Sequence, residues 1–356
     1  MENWANGSRI SRENNYNILR MIAAATVMYG HMYTLMGNGV PVLYANGVHS
    51  IGFKMLMVLS GYMITQSCIY DSKVSHFVIK RVFRLIPALI FYSLIAIMII
   101  GPIFTVLPIS EYFKHGYTWK YLYNILLQPQ FNLPGVFESN PYPYVVNGSL
   151  WGLPIEVSCY ILIYVILKLL CKIRWRKIIF SIFVIGICIL QVCRTVYFPM
   201  ESRVVWGTDW FQILTLSPYF FIGALYAVTK LKSYCNIQSA FILLMVSVLI
   251  KSDIYVINEM IAMLIIPYII ISFGECSEPI FAKCFRTMDI AYGIYLWGFP
   301  VQQMVIKKVI VDAQCNMGIN MIFVISLAIT VLLSIITWAL VEKPASIVMK
   351  KILKLV

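Results

Sequence analysis

The chain has 356 residues, of which 60% are hydrophobic and 12% charged, with a mean hydropathy of +0.81 and a net charge of +13. A soluble domain carries about 25% charged residues, so the composition excludes a soluble globular protein and is that of a polytopic membrane protein, long enough for roughly ten spans of ~20 residues. In that setting the positive charge belongs to cytoplasmic loops and not to a nucleic-acid-binding surface, so no nucleic-acid partner is expected.

Hydropathy predicts an all-α chain with ten spans near 18–36, 48–69, 85–107, 149–170, 178–198, 211–229, 236–251, 256–273, 290–311 and 319–341. They form a single integral membrane domain over residues 1–356, with a motif-bearing core at 10–345. Nineteen of the 28 lysines and arginines fall in segments that are cytoplasmic if the N-terminus is inside, among them Arg9, Arg12, Lys80, Arg174, Lys230, Lys283, Arg286 and Lys350. Seven fall outside, including Arg194, Arg203 and Lys251, which predicts that both termini are cytoplasmic. The polar residues 1–17 lack the short apolar core of a cleavable signal. The nine cysteines are scattered without a CxxC pair or zinc spacing, so they read as small apolar fillers, with no metal site expected. No repeat of 20–50 residues is visible.

The first span begins NILRMIAAATVMYGH at residues 17–31. At ~100° and ~1.5 Å per residue, His31 falls within ~20° of the face that carries Arg20, roughly 16 Å further along the axis. An ionisable residue in a span is a functional-site hypothesis, because its desolvation must be offset by partners. The plainer alternative has Arg20 snorkelling to the headgroups and His31 bonding a neighbouring helix. Lys54, near the outer end of the second span, is expected to snorkel, and Ser60-Gly61 to allow close helix packing. Next comes KRVFRLIPAL, whose Arg81 and Arg84 share one face of a helical turn at the inner surface and suit phosphate oxygens. The long loop 107–148 faces outward and is rich in Pro, Tyr and Asn; its aromatic stretch 119–123 suits an interfacial position and its composition a sugar-facing surface. In the fourth span Glu156 lies about two turns in, at a depth like that of His31, with His31 or an arginine as natural partners and Tyr160 at i+4 on the same face. The ninth span, DIAYGIYLWGFPVQQ, is expected to be broken by Gly293, Gly298 and Pro300 and to face a cavity. Glu342-Lys343-Pro344 and a basic tail close the chain.

In order and spacing these motifs resemble the acyltransferase-3 family of integral membrane acyltransferases. The resemblance rests on Leu19-Arg20 with ten residues to His31, VLSGY at 58–62, Arg81-x-x-Arg84-Leu-x-Pro87, SLWxLPxExxxY from Ser149 to Tyr160, YGIYLW at 292–297, and the closing EKP. Asn17 stands where the family often has Asp, Leu56-Met57 where it favours Phe-Phe, and Lys54 at a position usually uncharged or acidic; no hydrolase-like outer domain follows. The resemblance implies transfer of an acyl group, most often acetyl, from cytoplasmic acyl-CoA to a hydroxyl of a cell-surface carbohydrate. It implies acyl-CoA as co-substrate with no permanently bound cofactor, and a multi-pass protein of the bacterial cytoplasmic membrane surrounded by lipid. By this analogy His31 is the essential histidine, Arg20, Arg81 and Arg84 serve the acyl donor, and Glu156 and Tyr160 fall in a further functional motif; the helix geometry adds Glu156 as the group that orients His31 and stabilises its imidazolium. Tyr160, Asn17, Trp151 and Tyr295 are further candidates. His31 is then either a general base on the sugar hydroxyl or a nucleophile that carries the acyl group. The competing reading is an exporter or flippase of a polysaccharide or glycolipid, with a non-catalytic sensor or scaffold behind it.

Overall fold

The computed structural model describes residue 4 and residues 14–198, 201–249, 254–276 and 288–356. Arg9, Arg12, Lys251, Lys283 and Arg286 of the charge asymmetry lie outside the described residues. Backbone N–H and C=O groups have no water to bond in a bilayer, so apolar runs of this length close their hydrogen bonds internally as helices. Helices occupy all ten expected positions: α1 (Tyr16–Leu35), α2 (Val48–Tyr70), α3 (Val74–Ile95), α4 (Gly152–Leu170), α5 (Arg176–Tyr197), α6 (Trp210–Val228), α7 (Ile237–Leu249), α8 (Tyr255–Gly274), α9 (Ala291–Ile306) and α10 (Ile319–Thr337). Among the described residues, seven helical runs are long and apolar enough to cross a membrane, those built on α2, α3, α4, α5, α6, α8 and α10. Of the other three, α1 and the run built on α9 are too polar, and α7 has only 13 residues.

Three boundaries differ from the hydropathy reading. Helix α3 starts at Val74, eleven residues before the expected apolar run, and continues through a π-helical stretch, Ala96–Ile100, into Gly101–Phe104. The helical turn expected to carry Arg81 and Arg84 is therefore continuous with the third span. Helix α9 is not broken at Gly293, Gly298 or Pro300; it runs unbroken to Ile306 and departs from α geometry only in the π-helical stretch Lys307–Asp312. Helix α10 continues through Trp338–Glu342 into Lys343–Ile352, so the EKP motif is helical as well.

Helix α2 is central, packing most extensively on α6 and α1. A two-residue hairpin precedes α2, with Val42 opposite Gly47 and Leu43 opposite Asn46, and another precedes α6, with Val204 opposite Asp209 and Val205 opposite Thr208. Both turns hold their central residues at positive φ (Tyr44 and Ala45; Trp206 and Gly207), the geometry that matches strand twist. Gly61 is the fourteenth residue of α2 and Gly223 the fourteenth of α6. A β-carbon on Gly61 would overlap the Phe220 carbonyl, and one on Gly223 the Val58 carbonyl, so the two glycines set the crossing reciprocally. A repeated hairpin–helix unit is thus present that the sequence comparison of segments did not reveal. The expected packing role of Gly61 is what the structure has.

The loop before α4 is a folded cap rather than a free strand. Gln303 on α9 donates to the Tyr142 and Val145 carbonyls, Asn140 donates to Gln303, and Asn147 donates to the Leu296 carbonyl. Within the stretch 119–123, Trp119 and Tyr123 are exposed while Tyr121 is buried and bonded to Tyr92.

Candidate functional site

Two cavities, both lined by Phe53 and Tyr295, gather the site residues, and they are named inner and outer from the orientation expected of the chain. The inner one, about 460 Å³, is lined by Arg20 of α1, Arg81 and Arg84 of α3 and Glu156 and Tyr160 of α4. Asp289 anchors it: Arg20 Nη1 lies 2.6 Å and Arg84 Nη2 2.9 Å from Asp289 Oδ2. Arg84 Nη1 reaches Glu342 Oε2 of the EKP motif at 3.2 Å, so two carboxylates hold this guanidinium. Arg81 is held differently. Its guanidinium carbon lies 5.7 Å from the centre of the Tyr160 ring, and its Nε is buried without a hydrogen-bond partner. Lys80, on the same wall, is ion-paired to Asp71 at the end of α2. Burial raises the Asp71 carboxyl, but hydrogen bonds from Lys80 and His76 outweigh it and hold it below the usual carboxylate range.

Glu156 accepts from Ser60 Oγ at 2.5 Å and from the Tyr160 hydroxyl. The expected i+4 relation of Glu156 and Tyr160 on one face is therefore realised as a hydrogen bond. The expected pairing of Glu156 with His31 is not: its hydrogen bonds go to Ser60 and Tyr160, and it lines the inner cavity, which His31 does not. The carboxylate therefore shares a cavity with Arg20, Arg81 and Arg84 and not with His31. Ser60, read only as a packing residue, is its partner because VLSGY places the hydroxyl one residue before the Gly61 crossing.

The outer cavity, about 340 Å³, is lined by His31, His49, Ser149, Trp151, Arg194 and Tyr255 among others. The His31 and His49 rings have centroids 5.6 Å apart, and Phe299 stands edge-on to His31 at 5.4 Å. Gly30 makes this pairing feasible, since a β-carbon there would meet His49 Cβ at 2.7 Å. Phe53 and Tyr295 line both cavities and form the wall between them. Their ring centroids are 6.0 Å apart, and Trp151 stacks on the Phe53 ring at 5.4 Å. The Tyr295 hydroxyl donates to the Ser149 carbonyl, which ties SLW to YGIYLW. Asn17, on the first turn of α1, is half-buried and lines neither cavity.

Lys54 does not snorkel. It is fully buried, with Nζ 2.7 and 2.9 Å from the two carboxylate oxygens of Glu259 and 2.9 Å from Asn46 Oδ1, and Tyr219 donates to the same carboxylate. Sequence alone does not point to His49, Asp289, Glu259, Phe53 or Arg194 as site residues. Asp289 carried a signal, a carboxylate directly ahead of an intramembrane aromatic motif.

The profile of the acyltransferase-3 family, described as "Acyltransferase domain", matches residues 13–339. An O-acetyl transferase of Shigella phage Sf6 is 28% identical over 345 residues, covering 93% of this chain and 96% of the relative. Nodulation protein 10 of Rhizobium leguminosarum bv. viciae is 25% identical over 184 residues, 46% of this chain and 45% of that one. No solved structure matches the chain significantly. This protein belongs to the acyltransferase-3 family and is a multi-pass membrane acyltransferase.

Proposed function

From membership of the acyltransferase-3 family we propose that this chain is a membrane O-acetyltransferase that moves acetyl from cytoplasmic acetyl-CoA to a hydroxyl of a cell-surface polysaccharide or glycoconjugate. On this reading it crosses the bacterial cytoplasmic membrane ten times as a single domain over residues 1–356, with both termini inside. The observation that carries it is the pair of cavities sharing only Phe53, Tyr295 and their surroundings, one ringed by arginines and the other holding His31. Guanidinium groups fit phosphate oxygens through their planar forks, so Arg20, Arg81 and Arg84 suit the phosphates of coenzyme A. The pantetheine arm then leads the thioester toward the Phe53–Tyr295 wall.

His31 acts as general base. It takes the proton of the acceptor hydroxyl as that oxygen attacks the thioester carbonyl; the C–S bond breaks, and the coenzyme A sulfur leaves with the proton. Glu156, bonded to Ser60 and Tyr160, serves the donor side and sets the position of Tyr160 beneath Arg81. Trp151 gives the outer cavity an aromatic face for a sugar ring.

The test compares O-acetyl content of the host's purified surface polysaccharide with wild type and His31→Ala at equal membrane levels. Loss of acetyl with unchanged polymer yield is expected. Unchanged acetyl with polymer retained inside the cell would replace this reading with the exporter or flippase.

A further inference from the structure

We propose that the acceptor is a saccharide bearing an anionic group, carboxylate or phosphate, and that Arg194 selects it. The inference rests on the acyl-transfer reading and deepens it at the outer cavity. Arg194 stands in the last turn of α5 and lines this cavity. Arg20 and Arg84 share Asp289, and Lys54 is matched by Glu259. Among the described residues no carboxylate pairs with Arg194: its guanidinium carbon lies 5.4 Å from the face of Phe211, the neutral phenol of Tyr255 is its polar neighbour, and its Nε is buried without a hydrogen-bond partner. Asp209, at the start of the same helix as Phe211, is occupied capping the Phe211 amide.

The sign of the cavity points the same way. Among the described residues no Asp or Glu lines it; its polar groups are the imidazoles of His31 and His49, Arg194, and neutral donors and acceptors such as Asn46, Gln212 and Tyr255. A cation in a concave, partly desolvated site without its own counter-ion attracts an anion more strongly than one in water. Arg81 has the same status in the inner cavity, where the proposed ligand is a phosphate chain. A neutral sugar would satisfy the neutral groups and leave Arg194 uncompensated. An acidic residue beside the accepting hydroxyl would complete it, as a fork of two N–H donors meets two oxygens.

Placement at a helix C-terminus also suits an arginine for reasons of dipole alone, and the experiment separates the two roles. Thiol release from acetyl-CoA is measured in purified full-length protein with three matched oligosaccharides: one containing glucuronate, its carboxyl-reduced counterpart, and that neutral form carrying a phosphate monoester. Wild type should prefer the anionic acceptors, and Arg194→Gln should cut the anionic-to-neutral ratio of kcat/KM at least tenfold. Arg194→Lys should keep part of the preference, and comparing the first and third acceptors tells carboxylate from phosphate. Equal use of all three by wild type, or an equal loss on all three in Arg194→Gln, overturns the proposal. If wild type and His31→Ala release the same thiol with every acceptor, the acyl-transfer reading fails and this inference falls with it.

Discussion

Arg81 and Arg84 stand one turn apart on α3 yet meet different chemistry. Arg84 spends its fork on Asp289 and Glu342, whereas Arg81 keeps its N–H groups for the cavity. Arg84→Ala therefore does more than delete a cation; it leaves two carboxylates facing a polyanionic donor. We expect the KM for acetyl-CoA to rise further in Arg84→Ala than in Arg81→Ala, and Asp289→Asn combined with Arg84→Ala to recover part of the loss. Equal KM values for the two single variants would place Arg84 outside the donor site. At His31, truncation should lower transfer by roughly 10²–10⁴-fold with membrane insertion intact, the usual loss of a general base; thiol release per folded protein measures it. Much of this was legible in sequence, because an arginine or histidine in an apolar run is anomalous on its face. Glu156 was found in the same way, but its partner was not: a hydrogen bond to Ser60 joins residues 96 positions apart, and depth counted along one helix says nothing of how its neighbours are tilted.

At the scale of elements, the apolar runs betrayed all ten helices, while their ends did not follow hydropathy. On hydropathy the charged turn of α3 falls ahead of the third span because Lys80, Arg81 and Arg84 interrupt the apolar pattern, yet it belongs to the same helix and each residue finds a partner in the fold. Lys54 is the sharper case. Sequence offered snorkelling, since its carboxylate partner is more than 200 residues away on α8. The pair clamps α2 to α8, with Asn46 donating to Glu259 at 3.0 Å and Tyr219 adding a third donor. Removing one member leaves a buried charge uncompensated, which costs about 3–5 kcal/mol, whereas replacing both is far milder. Lys54→Met should thus lower the melting temperature of the detergent-solubilised protein and its yield, and Lys54→Met with Glu259→Gln should regain most of it. A single variant that melts like wild type would mean that water reaches the pair.

For the whole molecule, the decisive feature is a wall rather than a residue. On the proposed reading an acyl group passes from the arginine-lined cavity to the one that holds His31, and Phe53 and Tyr295 line both. Sequence points to a cavity on the ninth span, and Tyr292 and Tyr295 do line one, but not to its division in two, since each cavity gathers side chains from at least four helices and Phe53 belongs to no motif. Tyr295 is pinned through its hydroxyl to Ser149, and Gly152 sits so close that a β-carbon there would meet the Tyr295 hydroxyl at 2.6 Å and Phe53 Cζ at 2.5 Å. The aromatic wall is thus set by packing from α2, α4 and α9 together. On the proposed reading the wall passes the thin pantetheine arm and keeps outer water from the thioester, which matters because hydrolysis competes with transfer wherever water enters. Phe53→Ala enlarges the opening without touching an arginine or His31. The expected outcome is a higher rate of acetyl-CoA hydrolysis in the absence of acceptor and a lower fraction of released thiol matched by acetylated product. Phe53→Trp narrows the passage and should depress both rates together, with donor affinity at the arginines preserved. Measuring thiol release and product acetylation side by side reads both effects. If Phe53→Ala left their ratio at the wild-type value, the wall would be mere packing and the route of the acyl group would lie elsewhere in the helix bundle.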